Sequence, residues 1–170
     1  MTLLLETLPS PYRPFLPSWR SPLYLHLAPI WRALERTLAT CEGHVLDIGC
    51  GMQPFRHMLG PRVIDYVGVD RTGELTRPTL VGTAEALPVP DASFDVVLST
   101  MVLEHVVDPR RVLLEALRVL RRNGRLVLTV LGVWPTHEAP HDYWRFTRFG
   151  LEQLTREFDF EGDLTALGGL

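Results

Sequence analysis

The sequence contains only two cysteines in 170 residues, and it has neither a cationic leader nor a long apolar run. Cys41 and Cys50 cannot supply the disulfide framework of a small secreted domain. The short apolar run near the N-terminus is followed by closely spaced prolines, which is typical of neither a signal peptide nor a membrane span. We therefore expect a cytoplasmic protein with no membrane span.

An excess of positive charge is also missing, because the formal net charge is −3. A broad surface for nucleic acid would need clustered basic side chains, so we expect no nucleic-acid partner. With 46% hydrophobic residues, the chain has the composition of an ordinary globular protein. Its length fits one domain with a core of its own.

Residues 1–22 are rich in proline and carry Tyr12, Phe15 and Trp19 among the prolines. This pattern predicts an extended N-terminal arm. From residue 23 to residue 40, apolar side chains recur at helical spacing, and Gly43 is placed to end the helix. We therefore divide the chain into an arm, 1–22, and one domain, 23–170.

Short apolar runs rich in Val and Leu then alternate with helical patterns, as expected for parallel strands that are buried on both faces. The pattern predicts an α/β fold with a doubly wound, mostly parallel sheet. The predicted strands cover residues 44–48, 63–69, 79–82, 94–99 and 125–131.

Helix boundaries follow from capping residues and glycines. One helix should begin at Asp108-Pro109 and stop at Asn123-Gly124. Another should cover about residues 148–157, and Phe158-Asp159-Phe160-Glu161 alternates like a sixth strand.

The first predicted strand ends in Asp47-Ile48-Gly49-Cys50-Gly51, and the second ends in Asp70. Glycines in such a turn permit positive φ and a close approach of the backbone to a ligand. A carboxylate at the tip of the next strand can accept hydrogen bonds from both hydroxyls of a ribose. The pair predicts a cofactor that contains a nucleoside.

The residues after Gly51 narrow the choice of nucleoside. A dinucleotide site needs a third glycine and a helix N-terminus for the pyrophosphate, but Met52-Gln53-Pro54-Phe55-Arg56 follows here. This disfavours a NAD-dependent oxidoreductase. A phosphate-poor nucleoside such as S-adenosylmethionine fits better, and Pro54 suits the first turn of a following helix.

Six segments share their order and spacing with a known series of motifs. They are Asp47-Ile48-Gly49-Cys50-Gly51, Tyr66-Val67-Gly68-Val69-Asp70, Ala84-Glu85-Ala86-Leu87-Pro88, Phe94-Asp95-Val96-Val97-Leu98-Ser99, Leu103-Glu104-His105-Val106 and Leu120-Arg121-Arg122-Asn123-Gly124-Arg125-Leu126. Together they resemble class I S-adenosylmethionine-dependent methyltransferases, above all the small-molecule branch that includes ubiquinone and menaquinone methyltransferases. The resemblance covers about residues 43–131. It implies methyl transfer from S-adenosyl-L-methionine to a small-molecule or cell-envelope precursor acceptor.

Members of this family usually have seven strands, the last of them antiparallel, whereas the sequence predicts six. The missing strand leaves an alternative open, a shortened, non-catalytic module that binds the cofactor or a partner. An open sheet edge also favours self-association, so a homodimer is possible.

By resemblance, Asp47 and the two glycines of the turn line the methionine end of the cofactor, and Asp70 holds the ribose hydroxyls. Thr83 stands where the family usually has an acidic residue for the adenine amino group, and its hydroxyl can still accept that hydrogen bond. The expected cofactor-binding residues are Asp47, Gly49, Cys50, Gly51, Asp70, Arg71, Thr83, Ala84 and Ser99.

Two histidines, His105 and His141, are candidates for catalysis. His105 follows the fourth strand, where the methyl group would be presented, and an imidazole suits a general base; a packed, hydrogen-bonded histidine is the alternative. Residues 137–147 concentrate polar and aromatic side chains after the fifth strand. We expect Asp142, Tyr143 and Arg145 to bind the acceptor, unless this loop only packs against the sheet.

Residues 137–141 also match His-Glu-x-x-His, a pattern of zinc metallopeptidases. That pattern needs a helix that projects both histidines from one face, and Pro140 breaks such a helix. We therefore expect a loop here and no metal.

Overall fold

The computed structural model describes residue 20, residues 24–72 and 76–158, and residues 160, 162 and 164–167. Apart from Arg20, the predicted arm lies outside these residues, so its extended shape and the domain boundary at residue 22 stay predictions. None of the described helices is long and apolar enough to span a bilayer.

The described residues form five strands and three α-helices. The strands are β1 (Gly43–Ile48), β2 (Val63–Asp70), β3 (Leu80–Val81), β4 (Phe94–Thr100) and β5 (Leu120–Thr129). The helices are α1 (Tyr24–Leu38), α2 (Pro109–Val119) and α3 (Arg148–Thr155). Short 3₁₀ turns occupy Arg56–Met58, Leu103–His105 and Arg156–Phe158.

The strands form one sheet in the order β3-β2-β1-β4-β5, and each neighbouring pair is parallel. This confirms the predicted doubly wound α/β fold, and no antiparallel strand occurs in the part of the chain that the structure describes. The strand order reverses between β1 and β4. In such sheets, ligands bind outside the carboxyl ends of the strands at this switch point.

Helices cover both faces of the sheet. From α1, Leu34 and Leu38 pack onto the face that carries Val45. From α2, Val112 and its apolar neighbours pack onto the opposite face, which carries Leu46. Because β1 and β4 are buried on both faces, they appear in the sequence as near-continuous apolar runs. Polar chemistry is therefore concentrated at the strand ends.

The start of α2 lies where the sequence predicts it. The Asp108 carboxylate accepts a hydrogen bond from the Arg111 N–H at 3.1 Å, and Pro109 occupies the first turn. The predicted end is wrong, because the helix stops at Val119 and Asn123-Gly124 lies inside β5.

The early stop is explained by contacts from the loop before β4. The N–H groups of Ala92 and Ser93 donate to the carbonyls of Arg118 and Val119, each at 2.9 Å. These carbonyls at the helix end therefore have partners without a further helical turn. Leu120 then pairs directly with β4.

The connection between β1 and β2 also differs from the expectation, because no α-helix follows Pro54. The 3₁₀ turn at Arg56–Met58 takes its place. Phe55 packs its ring 5.0 Å from the Trp31 ring of α1. Apolar side chains, and not a helix, therefore close the core at this point.

The predicted sixth strand is not formed by the described residues of 158–161. Phe158 lies in the last 3₁₀ turn, Phe160 lies outside any strand, and residues 159 and 161 lie outside the described part. Phe158 packs against the core, and its ring lies 6.0 Å from that of Phe160. The alternating pattern here therefore reflects packing of two aromatic rings.

Glu115 ties α2 to the loop before β4. Its carboxylate is buried, accepts from the Leu87 N–H at 2.8 Å and pairs with Arg118 at 2.8 Å. The Arg118 guanidinium donates in turn to the carbonyls of Leu87 and Val89. Removal of this one carboxylate leaves the buried Leu87 N–H without an acceptor, while Arg118 keeps its ion pair with Asp91.

We expect Glu115→Ala to lower the free energy of unfolding by about 2 kcal/mol, since a buried donor loses its acceptor. Urea denaturation measures this change. Glu152→Ala is the matched control, because its pair with Arg148 lies on the surface of α3 and should contribute about 0.5 kcal/mol or less. Equal losses for both variants would contradict the role given to Glu115.

Candidate functional site

The turn after β1 requires glycine at position 49. Gly49 has φ +67°, and a Cβ there would lie 2.5 Å from Cγ2 of Val102. Gly51 has φ +51°, and a Cβ there would meet nothing within 4 Å. The turn is therefore packed on one side and open on the other, as a site for an incoming ligand must be.

Asp70, at the end of β2, holds this turn in place. Its Oδ2 accepts from the Gly51 N–H at 2.7 Å, and its Oδ1 accepts from the Arg71 N–H at 2.7 Å. Each carboxylate oxygen keeps a further lone pair. The residues that the sequence places nineteen positions apart are thus in direct contact, and the carboxylate can still accept from a ligand.

Asp47 is a buried carboxylate beneath the turn. Its Oδ2 accepts from the Tyr66 hydroxyl at 2.5 Å, while Oδ1 is buried and has no hydrogen-bond partner among the described residues. Burial raises the pKa of Asp47 to about 7, the Tyr66 hydrogen bond opposes this rise, and the charge of Asp70 adds to it. An unpaired buried oxygen of this kind suits a cationic group of a ligand.

The other predicted cofactor residues lie at the same edge of the sheet. Ser99 pairs with Ile48 of β1, and its buried Oγ has no hydrogen-bond partner in the described chain. The Gly82 N–H donates to the Asp70 carbonyl, which brings Thr83 and Ala84 to this edge. Arg71 is exposed and takes part through its backbone.

Cys50 is buried in the turn, with its Sγ against the backbone of Gly68. Burial raises the pKa of its thiol to about 12, and the charges of Asp47 and Asp70 add to the rise. The thiol is therefore protonated at neutral pH and acts as a small apolar group.

Two loops meet beside this edge, one after β4 and one after β5. The Glu104 carbonyl accepts from the N–H groups of Tyr143, at 2.8 Å, and Trp144, at 3.3 Å. The Trp144 indole N–H donates to the Val106 carbonyl at 2.9 Å. The first loop also supplies Val102, which packs on Gly49, so the second loop is placed next to the glycine turn.

Arg145 and Asp142 form the frame of the second loop. The guanidinium donates to both carboxylate oxygens, at 2.6 and 2.7 Å, and its remaining N–H groups donate to backbone carbonyls of Trp134, Pro135 and Trp144. Arg145 holds the pKa of Asp142 well below its usual range. Substrate binding by these two side chains stays a prediction, and the geometry favours a positioning role because the Arg145 donors are already in use.

The two candidate catalytic histidines have different surroundings. His105 is largely buried, and its Nδ1 lies 2.6 Å from the His141 carbonyl, so that nitrogen carries the proton and Nε2 is free to accept one. The exposed His141 places its Nδ1 3.0 Å from the Tyr143 hydroxyl. The backbone of His141 thus orients His105, while its own ring faces Tyr143.

The His-Glu-x-x-His run lies in a loop, as Pro140 predicts. Its two histidines point to different partners. The ring of His137 stacks edge-on with His105, with 4.7 Å between centroids, while His141 contacts Tyr143. The helical metallopeptidase arrangement is therefore absent from this described loop.

Comparisons with known proteins agree with this geometry. Residues 46–128 match the family described as "Methyltransferase domain". The chain is 34% identical over 115 residues to the uncharacterized methyltransferase YcgJ of Bacillus subtilis. The alignment covers 59% of this chain and 43% of YcgJ. The family match assigns residues 46–128 to the methyltransferase domain family.

Two further relatives extend the comparison. The malonyl-[acyl-carrier protein] O-methyltransferase of Hahella chejuensis is 34% identical over 107 residues, which are 54% of this chain and 37% of that enzyme. A methyltransferase of Aquifex aeolicus shares the fold, with a TM-score of 0.63 at 17% identity over 87% of this chain and 88% of that one. The chain spans less than half the length of YcgJ and of the Hahella enzyme.

Two residues of this candidate site were not predicted from the sequence. Tyr66, the aromatic residue of β2, donates a hydrogen bond from its hydroxyl to Asp47 Oδ2. Glu104 is fully buried, and both of its carboxylate oxygens are without a hydrogen-bond partner in the described residues. Burial raises the pKa of Glu104. The position of Glu104 among apolar residues of the sequence could have indicated a buried carboxylate.

The raised pKa of Asp47 makes the stability of the ligand-free protein depend on pH. In the folded protein the Asp47 carboxyl keeps its proton up to about pH 7, whereas the ordinary pKa of an aspartic acid is 3.8. The folded state therefore loses its advantage as the pH rises through this interval. The free energy of unfolding of Asp47→Asn minus that of wild type should therefore increase by about 1 to 4 kcal/mol between pH 4 and pH 8.

Urea unfolding of both proteins across this pH range measures the difference, in which titration of other groups cancels. Asp65→Asn is the matched control, because Asp65 is exposed on the same strand. A difference between Asp47→Asn and wild type that does not change with pH would refute the assignment.

Proposed function

We propose that this protein transfers a methyl group from S-adenosyl-L-methionine to a small-molecule or cell-envelope precursor acceptor. One observation carries the proposal: the Gly51 turn is open on one side, is fixed by Asp70, and lies beside an unpaired, buried oxygen of Asp47. One carboxylate that can bind an ammonium group and one that can bind a diol, at the same turn, fit this cofactor.

Different residues of the site would bind different parts of the cofactor. Asp47 would receive the ammonium group of the methionine portion, since its Oδ1 lacks a partner. Asp70 would accept from the ribose hydroxyls through its remaining lone pairs. Thr83 and Ala84 would meet the adenine, and Ser99 would approach the cofactor from β4. When bound, S-adenosyl-L-methionine supplies a methyl group that is already activated on a sulfonium.

The chain contributes mainly positioning to such a transfer, because the displacement needs the acceptor in line with the methyl group. The loop after β5, framed by Arg145 and Asp142, would form the acceptor side of the site. His105 offers its Nε2 as a proton acceptor. His141 and Tyr143 lie on the exposed part of the same loop and would contact the acceptor.

Two alternatives are tested by the same measurements. A NAD-dependent oxidoreductase is disfavoured, because only a 3₁₀ turn follows the glycine turn and no α-helix N-terminus is present there for a pyrophosphate. A non-catalytic module would bind the cofactor without turnover. Calorimetry with S-adenosylmethionine, S-adenosylhomocysteine and NAD, followed by a methyl-release assay, separates all three functions. Malonyl-[acyl-carrier protein] is the first acceptor to assay, because the relative from Hahella chejuensis is named as its O-methyltransferase.

A homodimer and a cytoplasmic location are part of the proposal. Within the described chain, β5 pairs only with β4, so its outer edge presents free backbone groups. A second copy could cover this edge. Sedimentation velocity of the full chain measures the oligomeric state.

Asp70→Ala should weaken S-adenosylhomocysteine binding by about 1.5 to 3 kcal/mol, because the ribose hydroxyls lose a charged acceptor. Isothermal titration calorimetry measures the change, and circular dichroism checks that the variant is folded. Asp65→Ala, on the exposed side of the same strand, should bind as wild type does. Unchanged affinity in folded Asp70→Ala would remove the cofactor assignment.

A further inference from the structure

Two histidines from separate loops meet at the junction described above. His105 follows β4 and His137 follows β5, yet their ring centroids lie 4.7 Å apart. Asp142 lies beside them, and one ligand atom from each of the three residues can be chosen so that all lie within 4.8 Å of one another. We propose that His105, His137 and Asp142 form a binding site for a divalent cation of the zinc class.

The donor set determines the kind of metal. Two imidazole nitrogens and one carboxylate oxygen suit zinc and neighbouring late transition metals, whereas Mg²⁺ and Ca²⁺ prefer sites made of oxygen alone. Three protein ligands leave at least one coordination position open, which is the arrangement of catalytic and not of structural zinc sites.

Hydrogen bonds already orient two of the three ligands. The Nδ1–H of His105 donates to the His141 carbonyl at 2.6 Å, which leaves the lone pair of Nε2 for a metal. This pairing of a ligating imidazole with a carbonyl is the usual outer support of metal-binding histidines. Asp142 Oδ1 accepts one hydrogen bond, from Arg145, and keeps a lone pair.

Two buried groups at the junction lack partners in the described residues. Nδ1 of His137 is buried and makes no hydrogen bond, and both carboxylate oxygens of the fully buried Glu104 are equally unpaired. A buried polar atom without a partner destabilises the folded protein. A bound cation would give His137 its missing partner and would offset the charge of Glu104 electrostatically.

The charges around the junction also fit a divalent cation. Arg145 neutralises Asp142. Glu104 makes no hydrogen bond in the described residues, and Oε2 of Glu138 lies 4.0 Å from Nε2 of His105. The Glu138 carboxylate is exposed enough to move onto the metal and would add negative charge there.

The distances require only small movements. Ligand atoms around tetrahedral zinc stand about 3.4 Å apart, given bonds of about 2.1 Å. His137 Nδ1 lies 3.5 Å from Asp142 Oδ2, the oxygen bonded to the same carbon as the proposed ligand Oδ1. Rotation of the His105 ring, which is held at one nitrogen only, would bring the third ligand in.

This site differs from the His-Glu-x-x-His pattern of the sequence, because it uses His137 with His105 and not with His141. It does not rest on the proposed function, although bound metal would make His105 a ligand and not a proton acceptor. The expectation of no metal came from the helical pattern alone, and that reason does not apply to residues brought together by two loops.

The test measures metal binding directly on the full chain. Protein stripped with a chelator is titrated with Zn²⁺ in competition with a chromophoric chelator, and with Co²⁺ while the visible spectrum is recorded. We expect one ion per chain, and visible absorption typical of Co²⁺ with four or five ligands. His105→Ala and His137→Ala should each weaken binding by roughly 100-fold or more, since loss of supporting residues alone costs 10–100-fold.

His141→Ala is the matched control, because it removes a histidine of the same loop that lies outside the proposed ligand set while the backbone carbonyl that orients His105 remains. It should bind Zn²⁺ as wild type does. Absence of stoichiometric binding to wild type, or an equal loss in His141→Ala, would overturn the site. Circular dichroism verifies the fold of each variant. Because S-adenosylhomocysteine affinity is measured separately, failure of the metal site and failure of the proposed function are distinguishable.

Discussion

The carboxylate of Asp70 joins the ends of two neighbouring strands, and the site depends on this contact. It accepts from the Gly51 N–H and so fixes the turn at the end of β1 against the end of β2. On the other side of that turn, Val102 fills the space that a Cβ at Gly49 would need. The glycine turn is thus held from β2 and from the loop after β4, which leaves only its open side for a ligand.

The loop after β5 depends on the loop after β4 in a similar way. A single backbone carbonyl, that of Glu104, accepts two N–H groups of the second loop, and the Arg145–Asp142 pair then fixes the internal shape of that loop. The side of the candidate site that we propose for the acceptor is therefore built from backbone contacts and one ion pair. Both candidate histidines and the proposed metal ligands are brought together by these contacts.

Local signals in the sequence were sufficient for the sheet, the glycine turn and the start of α2 at Asp108, because each rests on short-range periodicity or capping. The end of α2 at Val119 was not predictable, since it depends on N–H groups from Ala92 and Ser93, which are distant in sequence. For the same reason, the contact between His105 and His137 could not be read from either loop alone. The composition and position of the loop after β5 suggested Asp142 and Arg145 as substrate ligands, whereas in the structure their side chains form an ion pair with each other.

The assignment of the cofactor site is tested most directly by the change of backbone amide chemical shifts when S-adenosylhomocysteine is added to isotope-labelled protein. We expect the largest shifts at Gly49, Gly51 and Arg71, with smaller ones at Ser99, because these residues belong to or adjoin the glycine turn and the Asp70 carboxylate. Amides in the first half of β5 should stay unchanged. Shifts confined to other parts of the chain, or no shifts at saturating ligand, would contradict it.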